Sequence, residues 1–335
     1  MDGLALRTPL RRESLLTRVI HRAIARWYLK KPDLAELLAI KFPDLGSIAA
    51  AAVNEFLFRA RSTRSFRVLS LNIETTNFCN LACTICPVNR GLTRRKRFLD
   101  PGFFRELIDR TPGLRFILPF QWGEPLLHPQ IGDMIRYARE RGIRSMLTTN
   151  GTLLDDARIG ELLSCGLDRL TISIDGDEDT HELIRGVALS EIRSRVIELR
   201  RARDARRSPL KIDVSMVLDD VTRPAIEHYR NSWSEVADRV QVIPRLAQGE
   251  RTRPCRELWR GSLVVLVDGT VTACCADAEG RLDLGNAHRE TPTAILNGTR
   301  LRTLRAQHCR REFPEPCRSC AEYDGADVGV SARFQ

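Results

Sequence analysis

Residues 74–87 read Glu74-Thr-Thr-Asn-Phe-Cys79-Asn-Leu-Ala-Cys83-Thr-Ile-Cys86-Pro87, three cysteines within eight positions directly after the β-rich run Val68 to Glu74. Three thiolates so close in sequence can hold one metal centre, and three protein ligands leave a four-iron cubane with one open iron. A structural zinc asks for four ligands, usually as two pairs, so a lone triplet suits it poorly. Whether the triplet sits where a ligand can reach it depends on the segments around it. In parallel sheets ligands collect at the carboxyl ends of the strands.

Those segments alternate. Short β-rich runs fall at Val68–Glu74, Leu114–Pro119, Ile143–Thr148, Arg169–Ile174, Leu210–Val217 and Val240–Pro244. Amphipathic stretches near 101–110, 130–141, 155–165, 190–206 and 222–238 separate them. Strands interleaved with helices predict a parallel sheet in an α/β fold, open or curled into a partial barrel. Three further motifs follow strand candidates in chain order: Gln121-Trp122-Gly123-Glu124-Pro125 after the second, Thr148-Thr149-Asn150-Gly151 closing the third, and Ser173-Ile174-Asp175-Gly176 closing the fourth. His181-Glu-Leu-Ile-Arg185-Gly186 comes next.

Taken together, the Cys79-x3-Cys83-x2-Cys86 spacing and these ordered strand-end motifs resemble the radical S-adenosylmethionine (AdoMet) superfamily over about residues 68–245. The resemblance implies a partial (β/α)6 barrel with a 4Fe-4S cluster on Cys79, Cys83 and Cys86. Its open iron would chelate the methionine end of AdoMet, whose cleavage releases a 5′-deoxyadenosyl radical. By position, Ile85 would pack on adenine, where relatives often carry an aromatic. Gly123, Glu124 and Pro125 match a Gly-Gly-Glu-Pro loop that meets the ammonium group, with Trp122 replacing the first Gly. Thr149 and Asn150 would also contact the cofactor, Ser173 and Asp175 would reach its ribose, and Arg185 its carboxylate.

Past residue 246 the alternation stops. Ser262 to Val267 and Thr270 to Cys274, joined by Asp268-Gly269, read as a β-hairpin, and a helix is expected near 299–310. Cys255-x13-Gly269-x4-Cys274 followed by Cys317-x2-Cys320 resembles the auxiliary-cluster extension called SPASM. Only 15 residues follow Cys320 and none is Cys, which is similar to the half-size Twitch version. The resemblance implies a second 4Fe-4S cluster on Cys255, Cys274, Cys317 and Cys320. Four thiolates suit a zinc knuckle as well, and Cys275 competes with Cys274 for the ligand role. Four cysteines would leave no open iron, so this centre moves electrons. The expected layout is an N-terminal helical extension (1–66), the barrel (67–245) and a small Cys-rich hairpin and helix domain (246–335).

Composition sets the remaining bounds. With 43% hydrophobic and 29% charged residues, the 335-residue chain has ordinary globular composition, which excludes collagen-like and largely disordered classes. Of the 53 cationic residues behind the net charge of +10, 48 are Arg, scattered along the chain, which weighs against a nucleic-acid footprint. No apolar run is long enough to span a bilayer, and no secretory signal is evident, so a cytoplasmic address is expected and ten cysteines are read as ligands and thiols more than disulfides. In the N-terminal extension Leu16, Ile20, Ala23, Ile24 and Trp27 share one helical face. That face is expected to pack on its own protein, with a peripheral membrane surface as the alternative.

The functional expectation is a radical enzyme that takes hydrogen from a sugar-like or aminocyclitol-like small molecule. The auxiliary cluster would then accept an electron (dehydrogenation), or a thiol such as Cys275 or Cys309 would return hydrogen (epimerisation). Peptide modification is the alternative, and a reducing donor such as flavodoxin or ferredoxin is implied. No catalytic base stands out in the sequence.

Overall fold

The computed structural model describes residues 14–28, 35–89, 91–245 and 248–321. Pro32, Leu246 and the chain beyond Ala321 lie outside the described residues. The barrel strands are β1 (Ser70–Ile73), β2 (Phe116–Leu118), β3 (Arg144–Thr149), β4 (Arg169–Ser173), β5 (Lys211–Leu218) and β6 (Arg239–Pro244). They pair in parallel and in sequence order, so each crossover carries the chain back over one outer face of a single open sheet.

Side-chain alternation along these strands separates core from cavity. Ile117, Leu147, Leu170, Ile172, Ile212, Val214 and Met216 point outward and are fully buried among the covering helices. Their inward neighbours, Leu118, Thr148, Thr171, Ser173, Ser215 and Gln241, line a cavity of about 1200 Å³. The outer wall is therefore a packed apolar layer and the inner wall is partly polar, as a site for a polar ligand requires.

The hairpin after the barrel is part of the same sheet. Its first strand, β7 (Ser262–Val265), pairs parallel to β1 from Ser70↔Ser262 to Ile73↔Val265. The strands β8 (Thr270–Thr272) and β9 (Gly285–Asn286) continue antiparallel, giving nine strands in the order β6-β5-β4-β3-β2-β1-β7-β8-β9. Covering the β1 edge satisfies backbone groups that would otherwise be open.

The N-terminal extension is helical where it is described. It comprises α1 (Leu15–Ala23), which runs into a π-turn at Ile24–Tyr28, then α2 (Ala35–Lys41) and α3 (Leu45–Arg59). Ala25, Leu37, Leu38 and Ile40 pack on Phe116 and Met146 at the starts of β2 and β3, closing the floor of the barrel. One expectation is corrected here. The buried face of α1 is Thr17 and His21, while Leu16 is 57% exposed and Ala23 is exposed; Ile20 and Ile24 are half-buried, and the Trp27 side chain lies outside what is described.

Candidate functional site

The cysteine triplet sits in the loop that leaves the top of β1, and that loop is held from every side. The Glu74 carboxylate, fully buried, receives both Arg94 Nη atoms at 2.7 Å and the Val267 amide at 2.9 Å. Asn77 accepts from the Arg97 amide and donates to the Arg95 carbonyl. Thr84 N donates to the Ile184 carbonyl and Glu124 N to the Phe78 carbonyl. Cys83 is buried, Cys79 and Cys86 half-buried. Burial pushes the Cys79 and Cys83 thiols up; Glu124 and Cys86 raise Cys79 further, Cys86 and Cys79 raise Cys83, and the Arg185 guanidinium pulls Cys83 back down.

Among the described residues no three His, Cys, Asp or Glu side chains converge as ligands of one ion do. The three thiols instead line the wall of one cavity, Ile85 among them, which suits a cluster whose thiolates each bind a different iron. Gly123 approaches this loop so closely that a Cβ would lie 2.6 Å from both the Thr76 and Phe78 carbonyl oxygens, and its φ is +100°. No side chain fits there. Beside it the Trp122 indole Nε1 is buried on the cavity wall with no hydrogen-bond partner, a donor ready for a ligand acceptor.

Glu124 is 2% exposed and accepts from Leu126 N, Thr149 Oγ1 and Asn150 N. These use three of its roughly four lone-pair positions, so one stays available toward a cationic ligand. Burial raises its pKa, against the pull of those three donors. Asn150 Nδ2 also donates to Asn80, joining the end of β3 to the cysteine loop. Thr149, Asn150, Ser173 and Arg185 all line the cavity. Asp175 and Pro125 do not: both are buried behind the wall. Asp175 accepts from Arg185 Nε at 2.9 Å and from Val217 N at 2.9 Å, so it aims Arg185 instead of facing the cavity.

Cys255, Cys317 and Cys320 gather around Arg251, whose guanidinium lies 3.4 Å from Cys320 Sγ and donates to the Cys317 carbonyl. Burial pushes Cys255 to about 12 and Cys317 to about 11, with Arg251 opposing both. The Cys274 sulfur accepts from the Ala276 amide. Cys275 lines the cavity and Cys274 does not, so the two adjacent cysteines face different ways. The Cys275 carbonyl accepts from Gln121 Nε2 at 2.6 Å, tying the auxiliary loop to the end of β2.

Sequence analysis missed the floor of the cavity. Lys41 lies there, its Nζ 5.8 Å from the Phe116 ring centroid, with Arg260, Glu257 and Cys275 in its field. Burial lowers its pKa from 10.5 to about 7, Arg260 lowers it further, and Glu257 and Cys275 pull the other way. Between about 7 and 10.5 the unfolded chain keeps this proton and the folded chain does not, so Lys41's contribution to stability rises with pH across that window. Reductive ¹³C-methylation followed by NMR titration should give Lys41 a midpoint near 7; a midpoint above 10 would contradict the burial seen here. Nothing in the residues around Lys41 marked it in sequence as pointing inward. Ser215 and Gln241 were readable in principle, as polar residues at inward positions of apolar strands.

A family model described as the radical SAM superfamily matches residues 73–231, and one described as SPASM, an iron-sulfur cluster-binding domain, matches residues 255–321. The chain belongs to the radical SAM superfamily. Enzymes of this superfamily with a SPASM domain work with AdoMet and 4Fe-4S clusters, and the thiol sets, the Gly123 cradle and the Trp122 donor suit those groups. An AdoMet-dependent heme synthase of Nitratidesulfovibrio vulgaris is 32% identical over 116 residues, 34% of this chain and 32% of that protein. The chain thus spans about a third of the length of the first curated relatives it matches. A PqqA peptide cyclase of Streptomyces rochei is 24% identical over 299 residues, 75% of this chain and 80% of that one. Among solved structures, BtrN in complex with AdoMet and 2-DOIA aligns with a TM-score of 0.53 at 15% identity, over 77% of this chain and 95% of that one, a likeness of fold. No helix among the described residues is long and apolar enough to cross a membrane.

Proposed function

We propose that this radical SAM protein dehydrogenates a hydroxylated small molecule, of sugar or aminocyclitol type, inside the barrel. In this reading Cys79, Cys83 and Cys86 hold the primary cluster. Gly123, Glu124, Thr149, Asn150, Ser173 and Arg185 receive AdoMet, with Ile85 against adenine. Cys255, Cys274, Cys317 and Cys320 hold the auxiliary cluster. Bound, these groups would supply a 5′-deoxyadenosyl radical to take a hydrogen atom from a substrate carbon and an acceptor for the electron left behind, with the hydroxyl proton passing to a basic group of the cavity wall. The protein's part is to enclose the substrate, exclude bulk water and orient its hydroxyls on Thr171, Ser215 and Gln241. A donor such as flavodoxin or ferredoxin would reduce the primary cluster.

The observation that carries this reading is the shared wall: Cys275, next to the proposed ligand Cys274, and Arg256 and Glu257, next to Cys255, line the cavity that the primary triplet also lines. An electron acceptor placed there is within reach of a bound substrate. A floor closed by the π-turn and α2 favours a compact substrate over a threaded chain, although the peptide cyclase relative supports peptide modification as the alternative. The Cys275 thiol favours a second reading, return of a hydrogen atom and epimerisation.

The test is a panel of carbon-deuterated polyols, amino sugars, aminocyclitols and peptides given to the reconstituted enzyme, scored by deuterium arriving in 5′-deoxyadenosine. Dehydrogenation predicts that a Cys317→Ala variant still cleaves AdoMet but loses product by more than about a hundredfold, while Cys275→Ala keeps it. Product lost from Cys275→Ala alone, with solvent hydrogen in the product of the parent enzyme, would assign epimerisation instead. Deuterium transfer from peptides alone would overturn the small-molecule reading.

A further inference from the structure

The helix α1 is packed with its polarity reversed. On a helical wheel Thr17 and His21 lie on the buried side, and Ile24 beyond the helix end follows them; His21 and Ile24 line the cavity. The opposite side carries Leu15, Val19, Ala23 and Leu16 in one arc, with Arg18 and Arg22 in the arc next to it. Leu15 is 74% exposed, Leu16 57% and Val19 54%, and both arginines are exposed. A soluble helix normally shows the converse arrangement. Three large aliphatic side chains grouped on one outer face mark an interaction surface.

Charge decides the occupant. The stretch Leu15–Ala23 holds two arginines and no carboxylate. Two copies meeting through this face about a two-fold axis would bring Arg18 and Arg22 of each against those of the other with nothing in the helix to answer them. An anionic lipid surface complements both halves of the face at once, taking the aliphatic arc at the headgroup boundary and the arginines at the phosphates.

We infer that α1 docks the protein on an anionic membrane surface through Leu15, Leu16, Val19, Arg18 and Arg22. The helix does not cross the bilayer. It lies along the interface with its Thr17 and His21 side still on the barrel, so the docked helix is also one that borders the cavity. This inference is independent of the substrate proposed above.

Co-sedimentation of the full chain with sucrose-loaded vesicles tests it. Binding to phosphatidylcholine vesicles containing about 30 mol% phosphatidylglycerol should exceed binding to phosphatidylcholine alone by about tenfold or more, and fall as salt rises. Leu16→Glu with Val19→Glu should abolish it, and Arg18→Gln with Arg22→Gln should weaken it, each with an unchanged melting temperature because all four side chains are exposed. Equal binding to both vesicle types, or undiminished binding by the Glu variant, overturns the inference. So does a dimer in solution that the Glu variant dissociates, which would assign the face to a second copy.

Discussion

Replacing Cys83 by Ala will lower the iron of the anaerobically reconstituted protein from about eight to about four per chain and abolish 5′-deoxyadenosine formation. Cys83 is the middle residue of the triplet, the most buried of the three, and the one that Arg185 faces. Its removal leaves two thiols where the cluster needs three. The loop itself should survive the change, because its fixed points are backbone and side-chain bonds elsewhere: Glu74 to Arg94, Asn77 to Arg97, Thr84 to Ile184. The auxiliary set around Arg251 is built from other elements and should keep its iron. Two cysteines serve as controls. Cys165 is buried behind β4 with its pKa pushed to about 11, and Cys309 contacts the Arg61 carbonyl away from the cavity. Alanine at either position should leave the iron count unchanged. Iron retained at eight with AdoMet cleavage intact in Cys83→Ala would remove the primary site from the triplet.

The barrel was legible because its information is local. Runs such as Arg169–Ile174 and Leu210–Val217 are apolar on the outward face, bounded by turn residues, and separated by amphipathic stretches, so each strand announced itself within a residue or two of where it lies. The pairing of β7 with β1 was not legible, since a hairpin signal says which strands join locally and nothing about which distant edge they cover. The site divides the same way. Residues on strand-end loops, from Cys79 to Arg185, were singled out by ordered motifs that resemble a family, and most of them line the cavity. Asp175 looked equivalent to Ser173 two positions earlier, yet past the strand end the chain turns, and its carboxylate is drawn behind the wall by Arg185 and the Val217 amide. The reversed packing of α1 was hidden because periodicity shows that a helix has two faces and not which one meets the protein.

A second large effect is expected at the barrel floor. Arg169 and Asp213, at the start of β4 and inside β5, form an ion pair with side-chain exposures of 2% and 0%. Gln241 donates to Asp213 at 2.8 Å, and Arg169 also reaches Glu36 of α2 at 3.1 Å, so this pair fastens the helical floor to the sheet. Arg169→Met should cost about 3–5 kcal/mol, because it leaves a buried carboxylate without its cation. In a chain of this length that is about 5 °C in melting temperature. Burial already raises the Asp213 pKa, with Arg169 the largest pull in the other direction. Removing Arg169 raises it further. An acid whose folded pKa is raised loses stability as pH climbs through the interval between its unfolded and folded values, so the deficit of Arg169→Met should be largest at neutral pH and shrink as pH falls toward the acid range. The double variant Arg169→Met with Asp213→Leu should recover most of the loss, since a paired apolar replacement leaves no buried charge to stabilise. Thermal unfolding at several pH values reads all three outcomes, and a deficit that is flat with pH, or a double variant no better than the single one, would show that Arg169 holds the floor by packing and not by answering Asp213.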